Sequence, residues 1–243
     1  MSIAKTRRLA ITLLAICGIL LIAAGVGVGV KIYLSNNTDD WQNRVQEDGI
    51  DTSQVTPEMQ RQHSVSDKEP RYLSIPKLGL SHIRVFAVGL TSPNHAGEQQ
   101  IDAPRNIHDV GWFNCTINDI NHTCGQAAYP DQRNTQVATV IDGHSCNRRG
   151  CVFDRLSDLA ANDKIILELG NGNTIEYNVV QQENISLAEF NSDKLLQPIT
   201  PGKAGLNLIT CAGRWVTHDT RGRRSMDQRI IVYAASATNN KQL

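Results

Sequence analysis

The chain has 243 residues, of which 40% are apolar, 5% aromatic and 20% charged; its 24 basic and 24 acidic side chains cancel to a formal net charge of zero. That length suits one medium domain with flanking segments and leaves no room for two full domains. The charge balance excludes a general electrostatic attraction to nucleic acid, and the scarcity of aromatics argues against a surface built on stacking.

In chain order, the first signal is apolar. Leu9 to Val30 runs for about 22 residues without a charge, preceded by Lys5, Arg7 and Arg8 and closed by Lys31. As a helix this stretch is long enough to cross a ~30 Å hydrocarbon core. The larger basic cluster stays in the cytoplasm, which sends everything after Lys31 outside. A cleaved signal is the competing reading, because Ala23, Ala24 and Gly25 offer small residues. The apolar region is long for that, since a signal core spans ~7–15 residues. Either reading takes the domain out of the cytosol. Expected boundaries are a cytoplasmic tip and transmembrane anchor over 1–34, a polar stalk over 35–70, a catalytic domain over 71–236 and a tail over 237–243.

The stalk is rich in Asn, Asp, Gln, Glu and Ser and lacks sustained periodicity, as an extended or loosely helical linker does. Beyond it, short apolar runs alternate with turn signals, the pattern of an all-β barrel or sandwich. Strands are expected at Arg71–Ile75, His82–Val88, Val110–Phe113 and Gln136–Asp142. Between His82 and Val88, the residues Ile83, Val85 and Ala87 should share one face. Val152–Leu159 spaces Phe153, Leu156 and Leu159 as a short helix does. Lys164–Leu169 and Thr174–Val180 flank Gly170-Asn171-Gly172-Asn173, a hairpin turn. Ser186–Leu196 reads as a short helix stopped before Pro198. Leu206–Thr210 and Arg229–Ala235 complete about eight strands and one or two short helices, a mostly antiparallel barrel behind the N-terminal transmembrane helix.

Of the six cysteines, Cys17 lies in the apolar stretch, and Cys115, Cys124, Cys146, Cys151 and Cys211 lie beyond it. Thiols in an oxidising compartment tend to pair, and five cannot all pair within one chain. Cys115 with Cys124 and Cys146 with Cys151 are close local pairs, which leaves Cys211 alone as an intermolecular link or a reactive group. Neither spacing fits a zinc site, so no metal is expected.

Reactive residues fall at three strand ends, where loops are free to shape a cleft. His144 follows QVATVIDG, Cys211 follows LNLIT, and Arg229 opens RIIVYAA. If the last two strands pair antiparallel, the end of one lies beside the start of the other, and strands ~4.8 Å apart let Cys211 and Arg229 reach one point. Nothing in the spacing alone brings His144 to them.

The segments IDGHS, LNLITCAG and RIIVYA resemble the three signature blocks of the sortase family, in family order and behind an N-terminal anchor. YLSIPKLGL resembles the opening strand, GWF the short strand before the His block, and VFDRLSDLAANDKIILE the helix and strand after it, so the likeness runs from about Arg71 to Ala235. The closest likeness is to compact membrane-anchored classes such as class F. The resemblance implies an eight-stranded sortase-like barrel and a cysteine transpeptidase that attacks an LPxTG-like signal. It carries Cys211 over as nucleophile, His144 as acid and base, Arg229 as oxyanion partner, and Thr210, from the TC pair, as a substrate-binding residue. A free thiol titrates near ~8.5, so such a cysteine needs a cationic neighbour or a base. The implied partners are surface proteins with a C-terminal sorting signal and an amine acceptor on a cell-wall precursor or a pilin lysine. No cofactor is required, and membrane contact comes from the N-terminal helix.

The two local cysteine pairs are not part of the family pattern. As disulfides they would staple the loop before the third strand and the loop after His144, and the second would hold His144 in place. Arg214, Arg221, Arg223 and Arg224 are rival donors to Arg229, and Asp142 is a carboxylate that can tune His144. Two other functions compete. An L,D-transpeptidase-like acyltransferase would use Cys146 or Cys151, since GHSCNRRGC loosely resembles a His-Gly-Cys motif. A disulfide-stapled surface binding module would need no free thiol at all.

Overall fold

The computed structural model describes residues 49–92, 100–119, 128–132, 136–217 and 224–237, with only the backbone of Arg224. The stretch expected as a membrane anchor therefore lies outside the described residues. Among those described, no helix is long and apolar enough to cross a membrane.

Eight strands close into a barrel. They are β1 (Pro70–Ile75), β2 (Leu80–Val88), β3 (Val110–Phe113), β4 (Thr139–Gly143), β5 (Lys164–Leu169), β6 (Thr174–Ser186), β7 (Gly205–Thr217) and β8 (Arg224–Ser236). Around the barrel the order is β1-β2-β3-β4-β7-β8-β6-β5. Closure removes every sheet edge, which leaves no unpaired ladder exposed. Most neighbours are antiparallel, but β2–β3 and β4–β7 are parallel. That second parallel pair matters most: β4 and β7 finish at the same end of the barrel, and β8, antiparallel to β7, returns through that end.

Alternation along the strands fills the interior with Leu73, Ile75, Val85, Val110, Trp112, Ile141, Leu167, Leu206, Leu208 and Val232. A second apolar cluster sits on the other face of β4, β7 and β8, from Val140, Ile209, Ile231 and Tyr233 with Phe113 and Leu195. The short helix that carries Leu195, Ser192–Leu196, is capped by the Asn191 side chain. Asn207 pins it to β7, its amide donating to the carbonyls of Leu195 (2.6 Å) and Gln197 (3.0 Å). With a core on both faces, β7 is buried from Gly205 to Thr210. This is why GLNLIT places apolar residues on both faces, Leu206 and Leu208 inward and Ile209 outward, and buries its polar Asn207 and Thr210 as well.

The sequence expectations hold for β3 and β5 at both ends, and β1 starts one residue earlier than expected. Three differ. Val152–Leu159 is not an α-helix, only turns ending in a 3-10 turn at Leu156–Asp158. The expected helix from Ser186 shrinks to Ser192–Leu196 because β6 continues to Ser186. On β2, Ile83 is half-buried and Val85 buried, but Ala87 is exposed. Residues 49–69, expected as the end of the stalk, contain a helix at Pro57–Gln62 and contact the barrel. Gln60 donates to the carbonyl of His82 (2.6 Å), and the Tyr72 hydroxyl donates to that of Gln60.

Candidate active site

The end shared by β4, β7 and β8 gathers the reactive residues. Cys211 carries a free thiol, half-exposed. Its register partner across the β7–β8 ladder is Arg229. Directly paired residues of antiparallel strands face the same side with Cβ atoms ~4.5–5.5 Å apart, so thiol and guanidinium share the outer face of the barrel.

His144 follows β4 by one residue. The β4–β7 register runs Thr139–Leu206, Val140–Asn207, Ile141–Leu208 and Asp142–Ile209. Extended two steps past its last pair, the same register would bring His144 opposite Cys211. The intermediate step is bonded: Thr210 Oγ1 donates to the Gly143 carbonyl at 2.6 Å. Thr210 is buried and lies two residues after the inward-facing Leu208, so it shares the interior face while Cys211, two residues after Ile209, faces out.

The His144 ring is held from a second direction. Its Nε2 lies 2.6 Å from the Pro104 carbonyl, and a carbonyl only accepts, so Nε2 carries a proton there. In the neutral ring Nδ1 is then the basic nitrogen. The His144 carbonyl accepts from Phe153 N–H at 3.0 Å. Ring and backbone of His144, which is buried, are both anchored.

Between His144 and Phe153 the chain wraps around a carboxylate. Asp154 Oδ1 accepts from Cys146 N–H (2.6 Å), and Oδ2 accepts from Gly150 N–H (2.8 Å) and Cys151 N–H (3.0 Å). Cys146 and Cys151 are joined by a disulfide. Cys115 is also disulfide-bonded; Cys124, expected as its partner, lies outside the described residues. Ligand-type atoms of Cys146, Cys151 and Asp154 lie within 4.8 Å of one another. They do not fit a metal centre, because both sulfurs are consumed by the bridge and the carboxylate by backbone donors. The same bridge removes the thiol that an acyltransferase using Cys146 or Cys151 would need.

Arg229 uses its guanidinium on its own strand. Its terminal nitrogens donate to the carbonyls of Met226 (2.8 Å) and Gln228 (2.8 Å) and to the Ser225 hydroxyl (3.3 Å). A guanidinium has five N–H donors, so part of its capacity is left for another acceptor. Among the rival arginines, Arg214 is well exposed beside Asp227. Arg221 and Arg223 lie outside the described residues, as does the Arg224 side chain. Just past Cys211, β7 bulges between Ala212 and Trp215. Gly213 turns the chain there at φ +87°, and a Cβ would meet Asp227 Oδ1 at 2.1 Å. The bulge ends the regular ladder one residue after the thiol.

Sequence reasoning missed two contributors. Asp154 stood inside an expected helix, and its pattern of short-range backbone acceptance has no periodicity to betray it. Pro104 acts through a carbonyl, which no side-chain pattern announces.

In solved structures the chain is similar to sortase A of Corynebacterium diphtheriae in a lid mutant (20% identity, TM-score 0.42, covering 74% of this chain and 75% of that one). It is also similar to sortase C of Streptococcus pneumoniae (15%, TM-score 0.45, 79% and 78%). A third is sortase C-1 of Actinomyces oris (18%, TM-score 0.45, 78% and 84%). No curated protein sequence matches the chain. The family model described as the sortase domain matches residues 73–237, more than half of the chain, and the protein therefore belongs to the sortase family of cysteine transpeptidases.

Proposed function

We propose that this sortase is an extracytoplasmic transpeptidase, anchored by the apolar stretch 9–30, that cleaves an LPxTG-like sorting signal at Cys211. The observation that carries the reading is the convergence at one barrel end: a free thiol register-paired with Arg229 and, by continuation of the β4–β7 register, next to His144. The apolar cluster on the outer face of β7 includes Ile209, two residues before the thiol, with Leu196, Ile199 and Phe190 partly buried against it, and we take it as the side that meets the apolar end of such a signal.

The Cys211 thiolate, paired with the His144 imidazolium, attacks the Thr carbonyl carbon, whose π electrons move to oxygen. Arg229 donates its remaining N–H groups to that oxyanion. When the carbonyl re-forms, the C–N bond breaks and the leaving amine takes a proton from His144. A thioester remains on Cys211. An amine acceptor, on a cell-wall precursor or a pilin lysine, attacks the thioester, gives its proton to His144 and expels the thiolate. Thr210 serves this site by fixing the Gly143 carbonyl next to His144, and from its likeness to the family's TC pair we assign it to binding the peptide. For subclass we favour the compact membrane-anchored classes such as class F, on the three sequence blocks named above.

The test is incubation of the full-length protein with a panel of LPxTG-like peptides and intact-mass detection of the acyl adduct. An adduct is expected on the wild type and absent from Cys211→Ala. Arg229→Ala should slow its formation by ~10²–10³-fold, the loss typical of removing one oxyanion donor. Arg229→Lys should recover little, because an ammonium lacks the planar fork. An adduct that survives Cys211→Ala overturns the reading.

A further inference from the structure

The loop between β2 and β3 supplies the acceptor for the His144 ring, and what holds that loop is chain from before the barrel. Asp51 N–H donates to the Arg105 carbonyl (2.8 Å) and Ile107 N–H donates to the Asp51 carbonyl (3.0 Å), a short parallel bridge of Asp51 with Asn106. Side chains close the same junction. The buried Asn106 amide donates to Asp51 Oδ2 (2.9 Å) and to the Ser53 carbonyl (3.0 Å), and Asn106 Oδ1 accepts from His108 N–H (2.8 Å). Ser53 N–H donates to Asp51 Oδ1 (2.8 Å). One residue past Asn106, the Ile107 carbonyl accepts from Val152 N–H (2.9 Å), next to the Phe153 N–H that bonds the His144 carbonyl.

We propose that Asp51 and Asn106 are positioning residues for His144: the segment entering the domain locks residues 105–107, which fixes the Pro104 carbonyl that orients the imidazole. Pro104 precedes the bridged residues directly, and proline contributes no N–H with which to anchor itself, so its carbonyl direction depends on the peptide that follows. A histidine's second nitrogen is set by the bond its first one makes. With Pro104 in place, the ring keeps its proton on Nε2 and turns Nδ1 elsewhere. The hydrogen bonds to Asp51, first from Ser53 N–H and then from the Ser53 hydroxyl and Asn106, hold its carboxyl below the ordinary 3.8, so it stays an ionised acceptor at neutral pH. The consequence is that the orientation of His144 depends on Asp51 and Ser53, which precede the helix Pro57–Gln62 and the barrel.

This inference rests on His144 serving the reaction, and the experiment separates the two. Full-length protein with ¹⁵N-labelled histidine is compared as wild type, Asp51→Ala and Asp51→Asn, at a pH where the ring is neutral. The His144 nitrogen shifts report the tautomer, and acyl-adduct formation reports kcat and KM. Asp51 is exposed, so Asp51→Ala is expected to fold. Wild type should show the Nε2–H tautomer. Asp51→Ala should show a mixture, with kcat lower by ~10–100-fold, the scale of a small misplacement in a site, and KM little changed. Asp51→Asn, which keeps one acceptor, should lie between. Unchanged His144 shifts in Asp51→Ala overturn the inference, whether or not activity falls, because a fall alone is what general loosening produces. If His144→Ala still forms the adduct, the catalytic reading fails while the tautomer result stands on its own.

Discussion

Thr210 in β7 donates its hydroxyl to the carbonyl of Gly143 in β4 across 2.6 Å, so the residue before the nucleophile holds the residue before the histidine. The bond is buried and spans 67 residues of sequence. Thr210→Val keeps shape and volume but leaves a buried carbonyl without this donor, which costs ~1–3 kcal/mol. The expected result is a lower midpoint in chemical denaturation at unchanged m-value, with a kcat loss exceeding any change in KM. Thr210→Ser should recover most of both.

The disulfide next to His144 has a partner in its task. Cys146 and Cys151 are five residues apart, and closing so short a loop stabilises by ~2 kcal/mol in the chain-entropy model. The Asp154 carboxylate collects three backbone N–H groups of the same loop, and charge-assisted bonds are the stronger kind. Cys146→Ser with Cys151→Ser should therefore lower the melting temperature yet leave adduct formation within about threefold of wild type, since the remaining bonds hold the loop to ~1 kcal/mol. Asp154→Ala, with the bridge intact, should cost more activity than the double serine variant. Equal or reversed losses in the same assay would assign the loop's shape to the bridge instead.

The ends of the barrel strands were readable where local pattern and tertiary role coincide. Lys164–Leu169 alternates and lies beside a Gly-Asn-Gly-Asn turn, and the strand has those bounds. Cys211 stood out by cysteine arithmetic, which needs no geometry. By contrast, Phe153, Leu156 and Leu159 are all buried, as a helix would also bury them, but the Asp154 side chain competes for nearby N–H groups and no α-helix forms. The polar Arg224–Gln228 segment belongs to β8 because β6 and β7 pair with it, a demand made by neighbours far away in sequence. Thr56-Pro57-Glu58 carried a legible helix start, with a side-chain cap, proline at the first position and an acid in the first turn. It went unread because Pro57–Gln62 has no buried face to create a period. His144 was legible as a residue at a strand end, but its place beside Cys211 came only from the resemblance; the parallel β4–β7 pairing that carries it toward Cys211 is a long-range choice.

His63 offers a pH test away from the reaction. Burial, then the positive charges of Arg84 and Arg71, outweigh the Val85 carbonyl and Asp109 and hold its imidazole below the ordinary 6.5. Its Nε2 lies 2.8 Å from the Val85 carbonyl, to which it donates. With the folded value depressed, the unfolded chain binds the proton first. The contribution of His63 is thus fully present above about pH 6.5 and is lost as pH falls through the folded value. Melting temperature should be flat near pH 7.5 and lower at pH 5.5, and the difference should shrink in His63→Gln, which keeps a donor without a titration. An equal difference in the two proteins would show that other groups set the acid limit.

Gly143 is the tightest point of the strand end that leads to His144. A Cβ there would lie 2.5 Å from Phe153 Cδ2 and 2.8 Å from Cε2, and Phe153 is itself buried in the barrel core. The ring cannot simply yield, because Phe153 N–H is bonded to the His144 carbonyl. Gly143→Ala must therefore push the ring, the histidine or both, at ~1–3 kcal/mol for overpacking. Phe153→Leu alone opens space and also destabilises. In the double variant the new methyl occupies part of that space, so the two losses should add to more than the measured total by ~0.5–3 kcal/mol. Urea denaturation of the four proteins closes the cycle. Strict additivity would mean that the glycine is required by its backbone and not by the ring beside it.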